Sequence, residues 1–267
     1  MESAMQSGGD EDDIICLDES FFINDDYQLT TFKYGDEVLQ LFCLQSASTD
    51  YDLTGQLVWP GAELLNNYLS NNKQILHGRS IIELGSGVGV TGILCSRFCR
   101  EIVLTDHNDE VLKKNIDVHS SGTVSHADSF AEKLEWGNNS QLKEILQRHP
   151  GGFDLILGAD ICILPICSSF ACLLTILFYP FRFLDKYTCF QHSSIPLLFD
   201  TVVQLLLFKG RGCKFLLAYV SRARTLDELV IEEATQHGLQ VSEVQGTRSK
   251  VGNHEGVIFE FTIQRTM

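Results

Sequence analysis

The stretch "SIIELGSGVGVTGILCSRFC", residues 80–99, decides the fold of this chain. "SIIEL" is typical of a short buried strand, and "GILCSRFC" has the periodicity of a helix. The glycines between them predict a ligand-binding turn, because they let the backbone approach a ligand at which the helix N–H groups point. Gly87, Gly89 and Gly92 have the dinucleotide-binding spacing, which is equally compatible with a plain tight turn.

Apolar runs alternate with helical segments on the C-terminal side of this stretch. "EIVLTD" (101–106), "FDLILGAD" (153–160) and "CKFLLAYV" (213–220) are predicted strands, and 108–119 and 226–238 are predicted helices. This alternation predicts an α/β fold with a parallel sheet covered on both faces. "LQVSEVQG" (239–246) and "EGVIFEFTIQ" (255–264) predict an antiparallel C-terminal hairpin at the sheet edge.

The N-terminal part is predicted to cover the main fold. Residues 1–20 are acidic, lack the features of a secretory signal or transit peptide, and are predicted to be a flexible tail. Residues 20–45 alternate apolar and polar side chains around a break at 34–36, which predicts an N-terminal β-hairpin. A helix is predicted from about Gly61, and residues 21–267 are predicted to form one domain.

Composition limits the partners. The net charge of −15 and the pI near 4.8 disfavour nucleic acid and favour a basic protein or peptide. Nine cysteines without a framework spacing indicate reduced thiols, hence the cytoplasm or also the nucleus. The histidines show no zinc spacing, so no metal site is expected. Separately, we expect the protein to be a monomer.

Two acids favour one adenosine cofactor over another. Asp106 ends the strand after the glycine turn, where a carboxylate binds both ribose hydroxyls, although it would also suit a helix N-cap. Glu83 precedes the glycines at a position that is usually apolar in nicotinamide-binding folds. It favours S-adenosylmethionine, which carries an ammonium group and no pyrophosphate.

Five motifs in order resemble the signatures of seven-strand (class I) methyltransferases. They are "LVWPGAELLNNYL" (57–69), "IIELGSGVGVTGI" (81–93), "IVLTDHNDEVL" (102–112), "LEWGN" (134–138) and "FDLILGAD" (153–160). More narrowly, they resemble the family-16 protein-lysine methyltransferases, which modify chaperones and translation factors. The resemblance implies a Rossmann-like seven-stranded sheet, S-adenosylmethionine as cofactor and a lysine of a protein as substrate.

The resemblance also assigns residues. The cofactor would contact Trp59, Glu83, Gly85, Ser86, Gly87, Asp106, Trp136 and Ala159. Ordinary core packing is the alternative for both tryptophans, but Trp59 stands beside a Pro-Gly at a helix start and Trp136 in a polar loop, which favours the pocket.

Asp160 is the predicted catalytic residue, because it could capture and orient the substrate amine. Its charge would also raise the pKa of the lysine, which must react as the neutral amine, so apolar walls would have to oppose it. The family has an Asp-x-x-aromatic motif here, whereas this chain reads Asp160-Ile161-Cys162-Ile163. A helix cap or an ion pair is the alternative role for Asp160.

The stretch 161–181 contains no charged residue and is long enough to cross a membrane. A single crossing would place neighbouring strands of one sheet on opposite sides of the bilayer, so we expect no membrane span. We interpret 163–189 as an apolar insertion whose removal brings Phe190 into the position of the missing aromatic. The following helix is predicted to begin at Ser193 or Ser194, with Pro196 in its first turn. The alternative is a natural apolar loop over the substrate.

Two other functions are compatible with the sequence. One is a catalytically impaired, methyltransferase-like protein that binds the cofactor only. The other is a nicotinamide-dependent oxidoreductase, which Glu83 and the tryptophans disfavour.

Overall fold

The structure is a computed structural model that describes residues 27–44, 57–120, 127–161, 184–222 and 224–264, without the side chains of 184–193. Its main sheet confirms the predicted α/β fold. Seven strands follow the order β5-β4-β3-β6-β7-β10-β8, and β9 pairs with β10. The strands are β3 (Ser80–Leu84), β4 (Glu101–Asp106), β5 (Asp128–Lys133), β6 (Leu155–Ala159), β7 (Lys214–Val220), β8 (Leu239–Glu243), β9 (Ser249–Val251) and β10 (His254–Ile263).

The first five strands of this order are parallel, because helices return the chain to the same end of the sheet. The strand β10 runs antiparallel to both β7 and β8. The predicted C-terminal hairpin is therefore confirmed as antiparallel, but of its two strands β10 lies inside the sheet and β8 is at the edge.

Helices cover both faces of the sheet. They are α1 (Pro60–Asn71), α2 (Val90–Ser96), α3 (Glu110–Ser120), α4 (Asn139–Arg148), α5 (Leu184–Lys209) and α6 (Arg224–Gln236). One apolar core contains side chains of α1, α2 and α3, and the other contains side chains of α4, α5 and α6. The strands β3, β6 and β7 contribute to both cores, which explains their uninterrupted apolar sequence.

The N-terminal hairpin of β1 (Tyr27–Tyr34) and β2 (Glu37–Leu44) is a separate two-stranded sheet, and its role as a cover is confirmed. Leu39 and Leu41 are buried in the first core. The Asn115 amide of α3 bonds the backbone N–H and carbonyl of Phe42 at 2.9 and 3.0 Å and the Val88 carbonyl at 2.9 Å. The hairpin is thereby joined to the glycine turn.

Three elements were not predicted. The strand β5 lies at the sheet edge with a polar sequence, "DSFAEK", and lacks an apolar run. The helix α4 is short, and its N-cap residue Asn138 accepts from the Gln141 N–H at 3.3 Å. The strand β9 has three residues within the predicted loop.

The start of α5 differs from the prediction. The helix begins at Leu184, not at Ser193 or Ser194, and Pro196 lies inside it. Proline removes one helical hydrogen bond, and the burial of Ile195, Leu198 and Phe199 offsets that loss. The suspected insertion 163–189 therefore ends within α5. Most of the apolar stretch lies outside the described residues, and no described helix has the length and hydrophobicity to cross a bilayer.

Candidate functional site

The glycine turn between β3 and α2 has a backbone that glycine alone adopts readily. Gly85, Gly87 and Gly89 have φ values of 65°, 54° and 86°, all in the left-handed region. The N–H of Ser86 donates to the Thr105 carbonyl at 2.9 Å, and the Thr105 N–H donates to the Ser86 hydroxyl at 3.1 Å. The turn is thus attached to the C-terminal end of β4.

Glu83 lies beneath this turn and joins β3 to α2. Its carboxylate accepts the Gly92 N–H at 3.0 Å, and its side chain is buried. Burial raises the pKa of Glu83 to about 7, against the opposing effect of the Ser86 hydroxyl and the Gly92 N–H. A side chain at position 92 would overlap Leu104, so helix and strand are in close contact here.

We expect the stability of the ligand-free protein to fall between pH 4.5 and pH 7 because of Glu83. In this range the unfolded chain releases the proton and the folded protein retains it, so rising pH favours unfolding. Glu83 would account for a loss of about 3 kcal/mol over the whole range. Glu83→Gln keeps an oxygen acceptor for Gly92 but cannot ionise. The free energy of unfolding, measured with urea at pH 5 and pH 8, should decrease less in the variant than in the wild type. Equal decreases in both proteins would contradict the role of Glu83.

Asp106 lies at the end of β4 directly beside the glycine turn, as predicted. One carboxylate oxygen accepts the Gly87 N–H at 2.8 Å, and the other accepts the Asn108 N–H at 3.2 Å. The ring nitrogen Nδ1 of His107 lies 2.8 Å from Asp106. The carboxylate has about four acceptor positions, so capacity remains for a ribose hydroxyl.

Trp136 is brought to the same turn by a loop attached to α5. The Gly137 N–H donates to the Thr201 hydroxyl at 2.9 Å. A Cβ atom on Gly85 would lie 3.5 Å from the Trp136 ring and 2.7 Å from Ile161. Gly85, Trp136 and Ile161 therefore converge, and only glycine at position 85 fits this arrangement.

Trp59 occupies the N-cap position of α1, and Pro60 begins the helix. Its ring is half-buried, which agrees with a wall of a pocket better than with the centre of a core. The Arg222 guanidinium carbon lies 5.8 Å from the ring centroid, within the range of a cation–π contact. Trp59 is thus placed beside the ends of β6 and β7.

Asp160 follows β6 and has a fully buried side chain. Its carboxylate accepts the Gly61 N–H at 2.6 Å and the Val220 N–H at 3.1 Å. Arg222 donates to both of its oxygens, at 3.1 and 3.0 Å. This geometry corresponds to the ion pair considered as the alternative role of Asp160.

The predicted residues therefore gather at the carboxyl ends of the parallel strands, where open α/β sheets bind their ligands. Ala159 is half-buried in the last position of β6. The side chain of Phe190 lies outside the described part of the structure. Among the described residues, no group of three His, Cys, Asp or Glu side chains could hold a metal ion.

The residues present fit an adenosine cofactor of the predicted kind. The left-handed glycines leave the backbone open at positions 85, 87 and 89, and a carboxylate lies beside the turn at Asp106. Ile161, His107 and Arg222 were missed by the sequence analysis. For Arg222 a signal was present, since it is the first cation after the end of β7, but nothing in the sequence identified Asp160 as its partner.

Comparison with known proteins identifies similarity to lysine methyltransferases. A family model described as lysine methyltransferase matches residues 42–179. The chain is 31% identical over 140 residues to mouse protein N-lysine methyltransferase METTL21A, covering 51% of this chain and 59% of that protein. It is 33% identical over 109 residues to EEF1A lysine methyltransferase 3 of Xenopus tropicalis, covering 40% and 45%.

Among solved structures, a ribosomal protein L11 methylase from Lactobacillus delbrueckii subsp. bulgaricus matches with a TM-score of 0.48 at 12% identity, covering 85% of this chain and 95% of that chain. The chain spans about half the length of the curated relatives it matches.

Proposed function

Because the chain belongs to the lysine methyltransferase family, we propose that it transfers a methyl group from S-adenosylmethionine to a lysine side chain of a protein. The observation that carries this proposal is the arrangement at the carboxyl ends of β3, β4 and β6. There a turn with three left-handed glycines lies between the Asp106 carboxylate and the Trp136 ring. When bound, S-adenosylmethionine would supply the electrophilic methyl group.

The residues of this chain bind and orient the reactants. The open backbone at Gly85 and Gly87 would admit the methionine part of the cofactor, and Asp106 would bind its ribose. Trp59, Trp136 and Ala159 would form the walls of the pocket. Glu83 binds the Gly92 N–H beneath the turn in the ligand-free protein. From there its carboxylate would balance the positive charge of the cofactor's ammonium group.

The amine of the substrate lysine must lose its proton before it reacts. The free pKa of lysine is about 10.4, so deprotonation at pH 7 costs about 4–5 kcal/mol unless the site lowers this pKa. Asp160 and the position predicted for Phe190 are the parts of the chain that we assign to the amine side of the site.

The substrate is proposed to be a protein with an accessible lysine, such as a chaperone or a translation factor. Two relatives support this class, since their names give protein lysines as the target, in one case those of EEF1A. The net charge of −15 favours a basic segment and disfavours nucleic acid. We further propose a monomer that acts in the cytoplasm or the nucleus.

S-adenosylhomocysteine should raise the melting temperature of the protein, and NAD should not. At a concentration of 100 times Kd, binding adds about 2.7 kcal/mol to the free energy of unfolding. Thermal unfolding with each ligand at the same concentration is the measurement. A shift with NAD alone would contradict the proposal and favour an oxidoreductase.

Transfer itself is tested with labelled S-adenosylmethionine and cell extract. The label should appear in a protein band. After acid hydrolysis of that band, it should be recovered on methyl-lysine. Binding of S-adenosylhomocysteine without any labelled band would instead support a catalytically impaired cofactor-binding protein.

A further inference from the structure

The carboxylate of Asp160 has no acceptor position left for a substrate. One oxygen accepts from the Val220 N–H and from Arg222 Nη1, both at 3.1 Å. The other accepts from the Gly61 N–H at 2.6 Å and from Arg222 Nη2 at 3.0 Å. An ionised carboxylate has about four acceptor sites, and here four donors fill them. A direct contact between this carboxylate and an ammonium group would require one of these bonds to break.

Arg222 joins three parts of the site. It pairs with Asp160 after β6, donates to the Val220 carbonyl at 2.9 Å at the end of β7, and reaches the Trp59 ring before α1. Its side chain is 11% exposed, so this ion pair is screened little by solvent. A planar guanidinium suits this role, since it binds both carboxylate oxygens and an aromatic face together.

The backbone around the pair permits little adjustment. Asp160 has a φ of 55°, which residues other than glycine rarely adopt, and its N–H donates to the Ala218 carbonyl at 2.9 Å. A Cβ atom on Gly61 would lie 2.6 Å from the Asp160 carboxyl carbon. Unusual backbone geometry of this kind persists where surrounding contacts hold it, often at functional sites.

The charges matter because the proposed reaction needs a neutral amine. A lone carboxylate near the substrate lysine would raise the pKa of that lysine and hold it as the ammonium ion. A lone guanidinium would lower the same pKa. The pair of Asp160 and Arg222 carries no net charge, so the two effects cancel.

We propose that Arg222 is a positioning residue of the methyl-transfer site. It holds the Asp160 carboxylate away from the substrate amine, cancels its charge, and fixes the Trp59 ring. This inference rests on the proposed lysine methyltransferase function. The surrounding elements also carry ionisable groups at the ends nearest this pair, namely Glu63 in the first turn of α1, Arg224, Asp227 and Glu228 at the start of α6, and His254 and Glu255 at the start of β10. In the part of the chain that the structure describes, Asp160 is the acid paired with Arg222.

The test is the pH dependence of kcat in four proteins: wild type, Arg222→Gln, Asp160→Asn and the double variant. The kcat profile reports the ionisation of groups in the enzyme–substrate complex. Its midpoint should move to higher pH by about one unit in Arg222→Gln, and to lower pH by a similar amount in Asp160→Asn. The midpoint of the double variant should lie closer to wild type, displaced by no more than about half of the shift seen in either single variant. If Arg222→Gln does not fold, the shift of the Asp160→Asn midpoint to lower pH relative to wild type still tests the charge cancellation.

Arg224→Gln is the matched control. Arg224 lies two residues further along, has a 90% exposed side chain and pairs with Glu228 at 3.0 Å. This substitution removes the same charge without touching Asp160, so the kcat profile should keep its wild-type midpoint.

Trp59 supplies a second readout that does not depend on activity. The chain contains two tryptophans, so Trp136→Phe leaves Trp59 as the single tryptophan, which is excited selectively above the absorption of tyrosine. In that background, Arg222→Gln should shift the Trp59 emission to longer wavelength and increase its quenching by acrylamide, whereas Arg224→Gln should change neither.

Three results would be decisive against these ideas. Wild-type protein that transfers no methyl group to any protein would overturn the proposed function, and this inference with it. Active wild-type protein with unchanged profile midpoints in the single variants would overturn the inference alone. Shifts in the same direction for both single variants would also overturn it, because charge cancellation requires opposite signs.

Discussion

Replacing Asp106 by alanine should lower the affinity for S-adenosylhomocysteine by a factor of at least about 100. The carboxylate is buried at the end of β4 and lies 2.8 Å from the Gly87 N–H, so it is fixed beside the turn that would hold the ligand. A hydrogen bond between a ribose hydroxyl and a charged group contributes about 1.5–3 kcal/mol, and the substitution also removes the bond that holds Gly87 in place. Isothermal titration calorimetry of both proteins gives the two affinities.

Asp128→Ala is the control for this prediction. Asp128 begins β5, is exposed, and lies in the same sheet two strands from β3. Its replacement should leave the affinity for S-adenosylhomocysteine unchanged. Because Asp106 also bonds the backbone of the turn, the ligand-free melting temperature must be measured beside the affinity. A folded Asp106→Ala protein that binds as tightly as wild type would remove Asp106 from the cofactor site.

Deleting residues 163–189 should increase both the soluble yield and the methyl incorporation of the protein. The segment is apolar over most of its length, and a large exposed apolar surface promotes association. The deletion joins Cys162 to Phe190 and so restores an aromatic three residues after Asp160. An aromatic ring there could hold a cation by a contact of about 0.5–2 kcal/mol.

The structure supports the choice of deletion endpoint. The α5 side chains in the described core are Ile195, Leu198, Phe199, Val202, Leu205 and Leu206, and all of them follow residue 189. The deletion therefore removes none of these core contacts, although it removes the first six residues of the helix as it begins at Leu184.

The same deletion with Phe190→Ala separates the two effects. It should keep the gain in soluble yield and lose part of the gain in methyl incorporation. A deletion protein that misfolds, while the full chain is monomeric and active, would show that 163–189 is a working part of the enzyme and not an insertion.

Local patterns were sufficient to predict the strands that build the centre of the sheet. β3, β4, β6 and β7 are buried on both faces, so they appear in the sequence as uninterrupted apolar runs. The glycine turn was equally evident in the sequence, because the left-handed backbone at Gly85, Gly87 and Gly89 strongly favours glycine. Asp106 followed from its position at a strand end.

The tertiary structure alone decided which side chains meet. Asp160 and Arg222 are 62 residues apart, and Gly137 and Thr201 are 64 apart, so no local pattern connects either pair. The edge strand β5 could not be recognised from the sequence, because its solvent-facing side favours polar residues and it therefore lacks an apolar run. The sequence by itself thus determined the elements whose burial or backbone geometry restricts the residue types at each position. The partners of Asp160 could not be predicted, because the folded sheet first brings the ends of β6 and β7 together beside α1. An ion pair forms between groups that are close in the folded chain, whatever their separation in sequence.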